Sequence, residues 1–328
     1  MAEKNENGTG CPAFRTMIGG QALIEGIMML GPEKKAVVVR RSDGGLEEKV
    51  EDRVLIKDKY PILGLPLLRG VFNFGSSLGN GVKALMFSAE FYPEEGEEEA
   101  EPSKFEQWLE DRLGSEKMTS VVMALAMLMG VAFSIALFIL LPTALVGLLS
   151  IPFPDMPMWV RNLLEGVARV VIFTAYLMLC SKTKDMRRVF QYHGAEHKTI
   201  FCYEKGLPLT VENVRKQPCH HPRCGTSFLF VVIVASVLIS SVVFSFLPIT
   251  NVFGRMGMHI LLLPVVVSLT YELNRWVGGH DNILTRVLTA PGLWLQNWTT
   301  FEPDDSMIEV GIRSLELVRP EETGKDAW

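Results

Sequence analysis

The sequence predicts an α-helical multi-pass membrane protein with about four transmembrane helices, cytoplasmic N and C termini and a small β-containing N-terminal cytoplasmic segment. Three observations lead there. Apolar residues fill 48% of the 328 positions and the mean hydropathy is positive, high for a soluble chain. Four stretches, roughly 119–149, 159–180, 226–247 and 257–276, are apolar over the ~20 residues a bilayer crossing needs. Basic residues are also unevenly placed. Lys182, Lys184, Arg187, Arg188, Lys198, Lys205, Arg215, Lys216 and Arg223 crowd between the second and third stretches, whereas 150–158 has none and the turn near Asn251 has only Arg255. Positive charge marks the cytoplasmic side, which puts both termini there.

The elements follow in order. Residues 1–16 are polar, read as disordered, and carry no apolar run of the kind a cleavable signal peptide has. Segment 17–59 reads as small and β-rich: 36–40 and 49–56 are strands, with Asp43-Gly44-Gly45 as the turn. The glycine-rich run before them, 18–29, lacks the spacing of a phosphate cradle, and Glu25 within it is either partnered or exposed on a turn, exposure being the default. Segment 60–92 is apolar but broken by Pro61, Pro66 and several glycines, which suits a pair of interfacial or re-entrant helices. An acidic linker, 93–104, comes next. Segment 105–180 holds a short amphipathic helix (105–113) and the first two spans, the first carrying Pro142 and therefore expected to tilt or kink. Segment 181–225 is the cytoplasmic His/Cys region and 226–276 the last two spans. In 277–328 a helix over 281–298 is expected to end around Pro291-Gly292. An amphipathic one over 306–318 should dock on the cytoplasmic part through Ile308, Ile312 and Leu315.

Composition excludes some classes. The net charge of −5 comes from an acidic run at 94–101 and says little about partners. Five cysteines facing a reducing compartment are not a disulfide framework. No basic patch interleaved with aromatics argues for nucleic acid.

The sharpest chemical signal is His193-Gly194-Ala195-Glu196-His197. On a helix, residues four apart share a face, so His193 and His197 can close on one metal ion. Glu196 borders that face, where it could activate water, the HxxEH arrangement of inverted zinc peptidases. Reading Met186, Val189, Phe190, His193, His197, Ile200 and Phe201 as one helix puts both histidines on its apolar stripe. A second cluster, Cys219-His220-His221-Pro222-Arg223-Cys224, adds soft and borderline ligands, of which His221 and Cys224 are preferred because Pro222 fixes the turn between them. The bland alternative is a capping turn with solvated histidines. Glu272 is either a third metal ligand from a separate helix or a partner for Arg275, and the pairing is the default. Arg161, Glu165 and Arg169 line one face of the second span and read as an ion-pair ladder or, less readily, a substrate path. Cys202 reads as a buried thiol, His259 as remote from the metal cluster, and His280 and Asp281 as a loop network.

Several longer motifs carry a resemblance: Gly19-Gly20-Gln21-Ala22 with Glu25-Gly26, Leu68-Arg69-Gly70-Val71, the run from Tyr192 to Lys198, the run from His221 to Phe228, Ala290-Pro-Gly-Leu-Trp-Leu-Gln296 and Glu302-Pro-Asp-Asp305. Across about 17–318 the chain resembles the YqhQ-like bacterial membrane proteins, a family of unknown function labelled as predicted metal-dependent enzymes. The resemblance implies a bacterial cytoplasmic (inner) membrane location. It carries over His193, Glu196, His197, His221, Arg223 and Cys224, and leaves Cys219 and His220 outside the pattern.

Three functions remain open on these residues. The first is a zinc-dependent hydrolase at the cytoplasmic membrane interface, with His193 and His197 on the metal, His221, Cys224 or Glu272 completing the set, Glu196 as general base and Arg223 holding an oxyanion. The second is a non-enzymatic scaffold with a closed Cys/His site or a metal-free polar network. The third is a transport component along Arg161, Glu165 and Arg169. The expected surroundings are the lipid bilayer, with other membrane proteins or further copies of the chain as candidate partners.

Overall fold

The computed structural model describes residues 14–54, 60–92, 114–322 and 324–327. The expected acidic linker, the helix over 105–113 and most of 1–16 lie outside them. The chain divides into two compact units: one of residues 1–92, 174–235 and 264–328, the other of 93–173 and 236–263.

In the first unit four strands form an antiparallel meander, β1 (Gly19–Leu23), β2 (Gly26–Leu30), β3 (Lys34–Arg40) and β4 (Leu46–Asp52), in that order. Only β3 and β4 match the expected strands, and β4 lies earlier than 49–56. The glycine-rich run supplies β1 and β2. The reason it escaped pattern reading is double burial. Ile27 and Met29 of β2 pair with Val38 and Ala36 of β3 and face one core, while Met28 and Val37 face another. A strand covered on both faces reads as a continuous apolar run without alternation.

Three helices cover the sheet. Helix α1 (Leu68–Ala89) brings Ala84 and Phe87 to the Met28 face. The expected helical pair is therefore a 3-10 turn, Pro61–Gly64, and one unbroken helix. The glycines do not break it because some are contact points: a Cβ on Gly81 would lie 2.4 Å from the Gln21 side chain of β1.

In the second unit and the helices leading out of it, α2 (Ser115–Ile135) runs through a π-turn (Ala136–Leu140) into α3 (Leu141–Leu149). The π-turn precedes Pro142, whose missing N–H and ring cannot be fitted to a regular α-ladder. Helix α4 spans Met158–Cys180.

The opposite sheet face, with Ile27, Met29, Ala36 and Val38, packs on α5 (Lys184–Glu204) and α10 (Asp305–Val318) through Tyr192, Ala195, Met307, Val310 and Leu315. This docking of the amphipathic C-terminal helix is as expected, although Ile312 is only half buried. A short α6 (Val211–Arg215) follows α5. Helices α7 (Gly225–Phe246) and α8 (Val252–Gly279) come next, then α9 (Ile283–Thr299). Among the described residues four helices, including the 124–149 stretch, are long and apolar enough to cross a membrane.

Helix α9 corrects another expectation, since it continues through Pro291-Gly292 to Thr299. Gly292 is a packing contact, where a Cβ would sit 2.5 Å from Ser227, not a terminator. The Asn282 capping box starts the helix. Glu25 is a further correction. It is 7% exposed, sits at φ 49 in the two-residue β1–β2 turn, and its carboxylate accepts hydrogen bonds from Tyr192 Oη (3.1 Å) and the Arg188 guanidinium.

Candidate metal centre

Helix α5 places His193 and His197 one turn apart with ring centroids 4.3 Å from each other. Cys224, at the end of the turn that leads into α7, closes on them: its Sγ lies 3.1 Å from His193 Nε2. One ligand atom from each of the three residues falls within 4.8 Å of the other two. Tetrahedral zinc with bonds of about 2.0–2.3 Å sets neighbouring ligand atoms about 3.3–3.8 Å apart, and the His193–Cys224 pair at 3.1 Å is near that spacing.

The ring orientations are set from outside. His193 Nδ1 donates to the Thr299 carbonyl at 2.7 Å and His197 Nδ1 donates to the Cys219 carbonyl. Each ring then presents Nε2 to the common centre, as carbonyls behind metal-bound histidines do. His197 Nε2 is buried and has no hydrogen-bond partner. A buried, oriented and unpartnered lone pair is what a metal ligand leaves when considered alone.

Charge supports the same geometry. Burial disfavours the Cys224 thiolate, but His193 and His197 outweigh it and hold the thiol well below its usual range. The position helps too, because Cys224 precedes the first turn of α7 and accepts from Thr226 N (3.4 Å). Burial likewise opposes charge on His193, and Cys224 outweighs it, raising His193 to about 9. Without a metal each of the two groups thus favours the charged form of the other.

Glu196 is 5% exposed and stands beside the three, Oε2 at 4.0 Å from His193 Nε2. Its Oε1 accepts the Gly20 N–H of β1 at 2.9 Å. Burial raises its pKa against the pull of His197 and His193. An upward shift is the direction a proton-transferring carboxyl needs. The intervening Gly194 has its own cause: a Cβ there would lie 2.0 Å from the Phe301 carbonyl, so only glycine lets α5 approach the 299–303 strap.

Other expected members are placed differently. His221 is buried 5.5 Å (ring to ring) from His197 but is outside the three-atom set. Its Nδ1 accepts from Arg223 N (3.3 Å), and burial lowers it to about 4. Arg223, expected to hold an oxyanion, forms an ion pair with the buried Glu204. Glu272 pairs with Arg69, Nε to Oε1 at 2.7 Å, rather than with the metal cluster or with Arg275. Cys219 is 2.9 Å from Glu302 Oε2 and burial pushes its thiol up to about 12. Cys202 is the buried thiol it was expected to be.

Sequence reasoning missed Glu204, Thr299, Gln296 and Lys198. Gln296 clamps the 219–224 turn, accepting from His221 N (2.8 Å) and donating to His221 O (2.8 Å) and Ser227 Oγ (3.0 Å). Lys198, 3% exposed, donates to the Arg215 carbonyl at 2.8 Å and pairs with Glu302. Both stand in the motifs quoted above. Glu204 lies seven residues beyond His197, on the same helix face, and that spacing was the available signal.

Comparison with known proteins places the chain among relatives without an assigned activity. Residues 65–321 match the family model described as "Protein of unknown function (DUF1385)". The chain is 34% identical over 309 residues to "Uncharacterized protein YqhQ" of Bacillus subtilis (strain 168), covering 92% of each sequence. No solved structure matches it.

Proposed function

The chain belongs to the DUF1385 family of unknown function, and from its own geometry we propose that it is a zinc-dependent hydrolase of the bacterial inner membrane, its site at the cytoplasmic face. The observation that carries this reading is the convergence of His193 Nε2, His197 Nε2 and Cys224 Sγ, with the His197 nitrogen buried and unpartnered. Three protein ligands are the number found in catalytic zinc sites, which keep a further position open. Bound there, zinc would supply Lewis acidity and lower the pKa of water. Glu196 would take and return the proton through Oε2, while Gly20 N–H holds Oε1 and so fixes the carboxylate plane. Thr299 and Cys219 carbonyls keep the imidazoles in one tautomer. The four apolar helices cross the bilayer in this reading, with both termini and α5 cytoplasmic, because Lys and Arg crowd between the second and third of them.

A second reading is favoured by one observation, the depth of burial of His197, Glu196 and Cys224. It makes the centre a structural staple between α5 and the 219–224 turn of a non-enzymatic membrane protein.

Metal content of detergent-purified protein tests the shared premise. About one zinc per chain, lost in His193→Ala and Cys224→Ala and kept in His220→Ala, is the expected result. Absence of zinc in protein prepared without chelator, with no uptake on addition, would overturn both metal readings. Cobalt substitution then separates them. Visible bands that shift on adding a hydroxamate mean an exchangeable position, and bands that ignore it mean the staple.

A further inference from the structure

The second unit holds a polar seam that the metal centre does not use. Arg161, Glu165 and Arg169 recur every four residues on α4 and meet Arg255 and His259 of α8. All five are at most 8% exposed, within helices apolar enough to cross a membrane.

Arg255 is satisfied. Its Nε donates to Glu165 Oε1 (2.8 Å), its Nη2 to Asn162 Oδ1 (2.6 Å), and its guanidinium lies 3.9 Å from the Phe244 ring centroid. Arg161 and Arg169 are not. Arg161 Nη1 donates to the Thr250 carbonyl at 2.8 Å, but its Nε and Nη2, and Nε of Arg169, are buried without an acceptor. Arg169 Nη2 lies 2.7 Å from His259 Nε2, which is also 3.1 Å from Glu165 Oε2. One ring nitrogen cannot serve both: if protonated it donates to Glu165 and has no lone pair for Arg169.

The charges do not balance either. Three guanidiniums, which keep their charge in proteins, face one carboxylate. Buried charge needs a partner, and more so in an apolar setting. Both underused guanidiniums approach the same carboxylate, at 3.6 and 3.9 Å, so Glu165 is their shared neighbour.

We propose that Arg161 and Arg169 bind one phosphate-class oxyanion. A carboxylate would bring one charge and two oxygens. A phosphate brings up to two charges and enough acceptors for the three unpaired nitrogens. Arg161 stands in the first turn of α4 beside Thr250, so the anion enters from the end that carries the 150–157 and 247–251 connections. A phospholipid headgroup or free phosphate could supply it.

The test is thermal unfolding of the full chain in an uncharged detergent, with inorganic phosphate or phosphatidylglycerol mixed micelles as probes and chloride at equal ionic strength as control. A saturable rise in melting temperature is expected from at least one probe. Phosphate acting alone identifies a free anion as the source, and phosphatidylglycerol acting without phosphate identifies a headgroup. Arg161→Gln and Arg169→Gln should each weaken the apparent affinity at least tenfold, and Glu165→Gln should strengthen it. Should the inner variants fail to fold, Arg161→Gln, at the mouth of the seam, and native mass spectrometry of wild type still decide the matter. One anion per chain is expected. No saturable response beyond chloride, no bound anion, or unchanged affinity in Arg161→Gln would overturn the proposal.

Discussion

Replacing Gly194 by alanine tests whether the α5–strap contact holds the metal centre in shape. In a free helix the change would stabilise by about 0.5–1 kcal/mol. Here the new Cβ would lie 2.0 Å from the Phe301 carbonyl oxygen, with Pro303 Cδ at 3.4 Å on the same side. A tolerable contact requires about 1 Å of backbone movement, and overpacking of that size costs about 1–3 kcal/mol. The strap that must move also carries the Thr299 carbonyl that orients His193 and the Phe301 N–H bound to the Phe190 carbonyl at 2.9 Å. Loss of an orienting partner typically weakens metal binding 10–100-fold. The variant should therefore melt lower than wild type and, with zinc at the proposed site, release it to a chelator at least tenfold more readily. The matched control is Gly75→Ala on α1, where a Cβ meets nothing within 4 Å and stability should hold or rise. Unfolding in detergent and chelator competition read both quantities. A Gly194→Ala protein that melts and binds zinc as wild type does would refute the idea that this approach positions the site.

Glu25→Ala should destabilise by about 2–3 kcal/mol, because it strips a charged acceptor from the fully buried Tyr192 hydroxyl. Glu25→Asn, which tolerates the positive φ, should recover part of that in chemical denaturation. Gln296→Leu leaves the buried His221 N–H and C=O unpaired and should cost about 2–4 kcal/mol. Affinity for the proposed zinc should fall as well, as measured by the same chelator competition. Asp304→Ala removes the N-cap of α10 and should cost about 0.5–2 kcal/mol at neutral pH. Burial works to raise the Asp304 carboxyl, but hydrogen bonds from Ser306 and Met307 prevail and hold it below its ordinary value. Its stabilisation is therefore full above the unfolded pKa of about 4 and fades as pH falls through the lower folded value. The gap between wild type and Asp304→Ala should close in acid and stay constant above pH ~5.

The four long apolar helices, the helix bearing HxxEH and the docking of the last helix were legible because each is written in periodicity or length. The hairpin β1–β2 was not, since Ile27, Met28 and Met29 are all buried and alternation disappears. Glycine and proline misled twice, in α1 and α9, where Gly81 and Gly292 mark close approach instead of chain breaks. At the site, His193, His197 and Cys224 were readable from ligand type and spacing. The groups that orient them were not, because Thr299 and Cys219 act through backbone carbonyls and Gly20 through an N–H, which no side-chain pattern records. Glu272 and Arg223 looked available only because their partners, Arg69 and Glu204, are distant in sequence.

The parts of the metal centre impose a parity rule on the chain. Gly20, which holds Glu196, is separated from α5 by two candidate spans, and Cys224 is separated from Thr299 by two more. In the proposed topology every contributor returns to the same side only because each interval holds an even number of crossings. If one hydrophobic segment failed to insert, Gly20 or Thr299 would be stranded across the bilayer from His193, and no later repacking could bring it back. Zinc retention would then report on biogenesis: a loosely held metal would betray a chain threaded the wrong number of times.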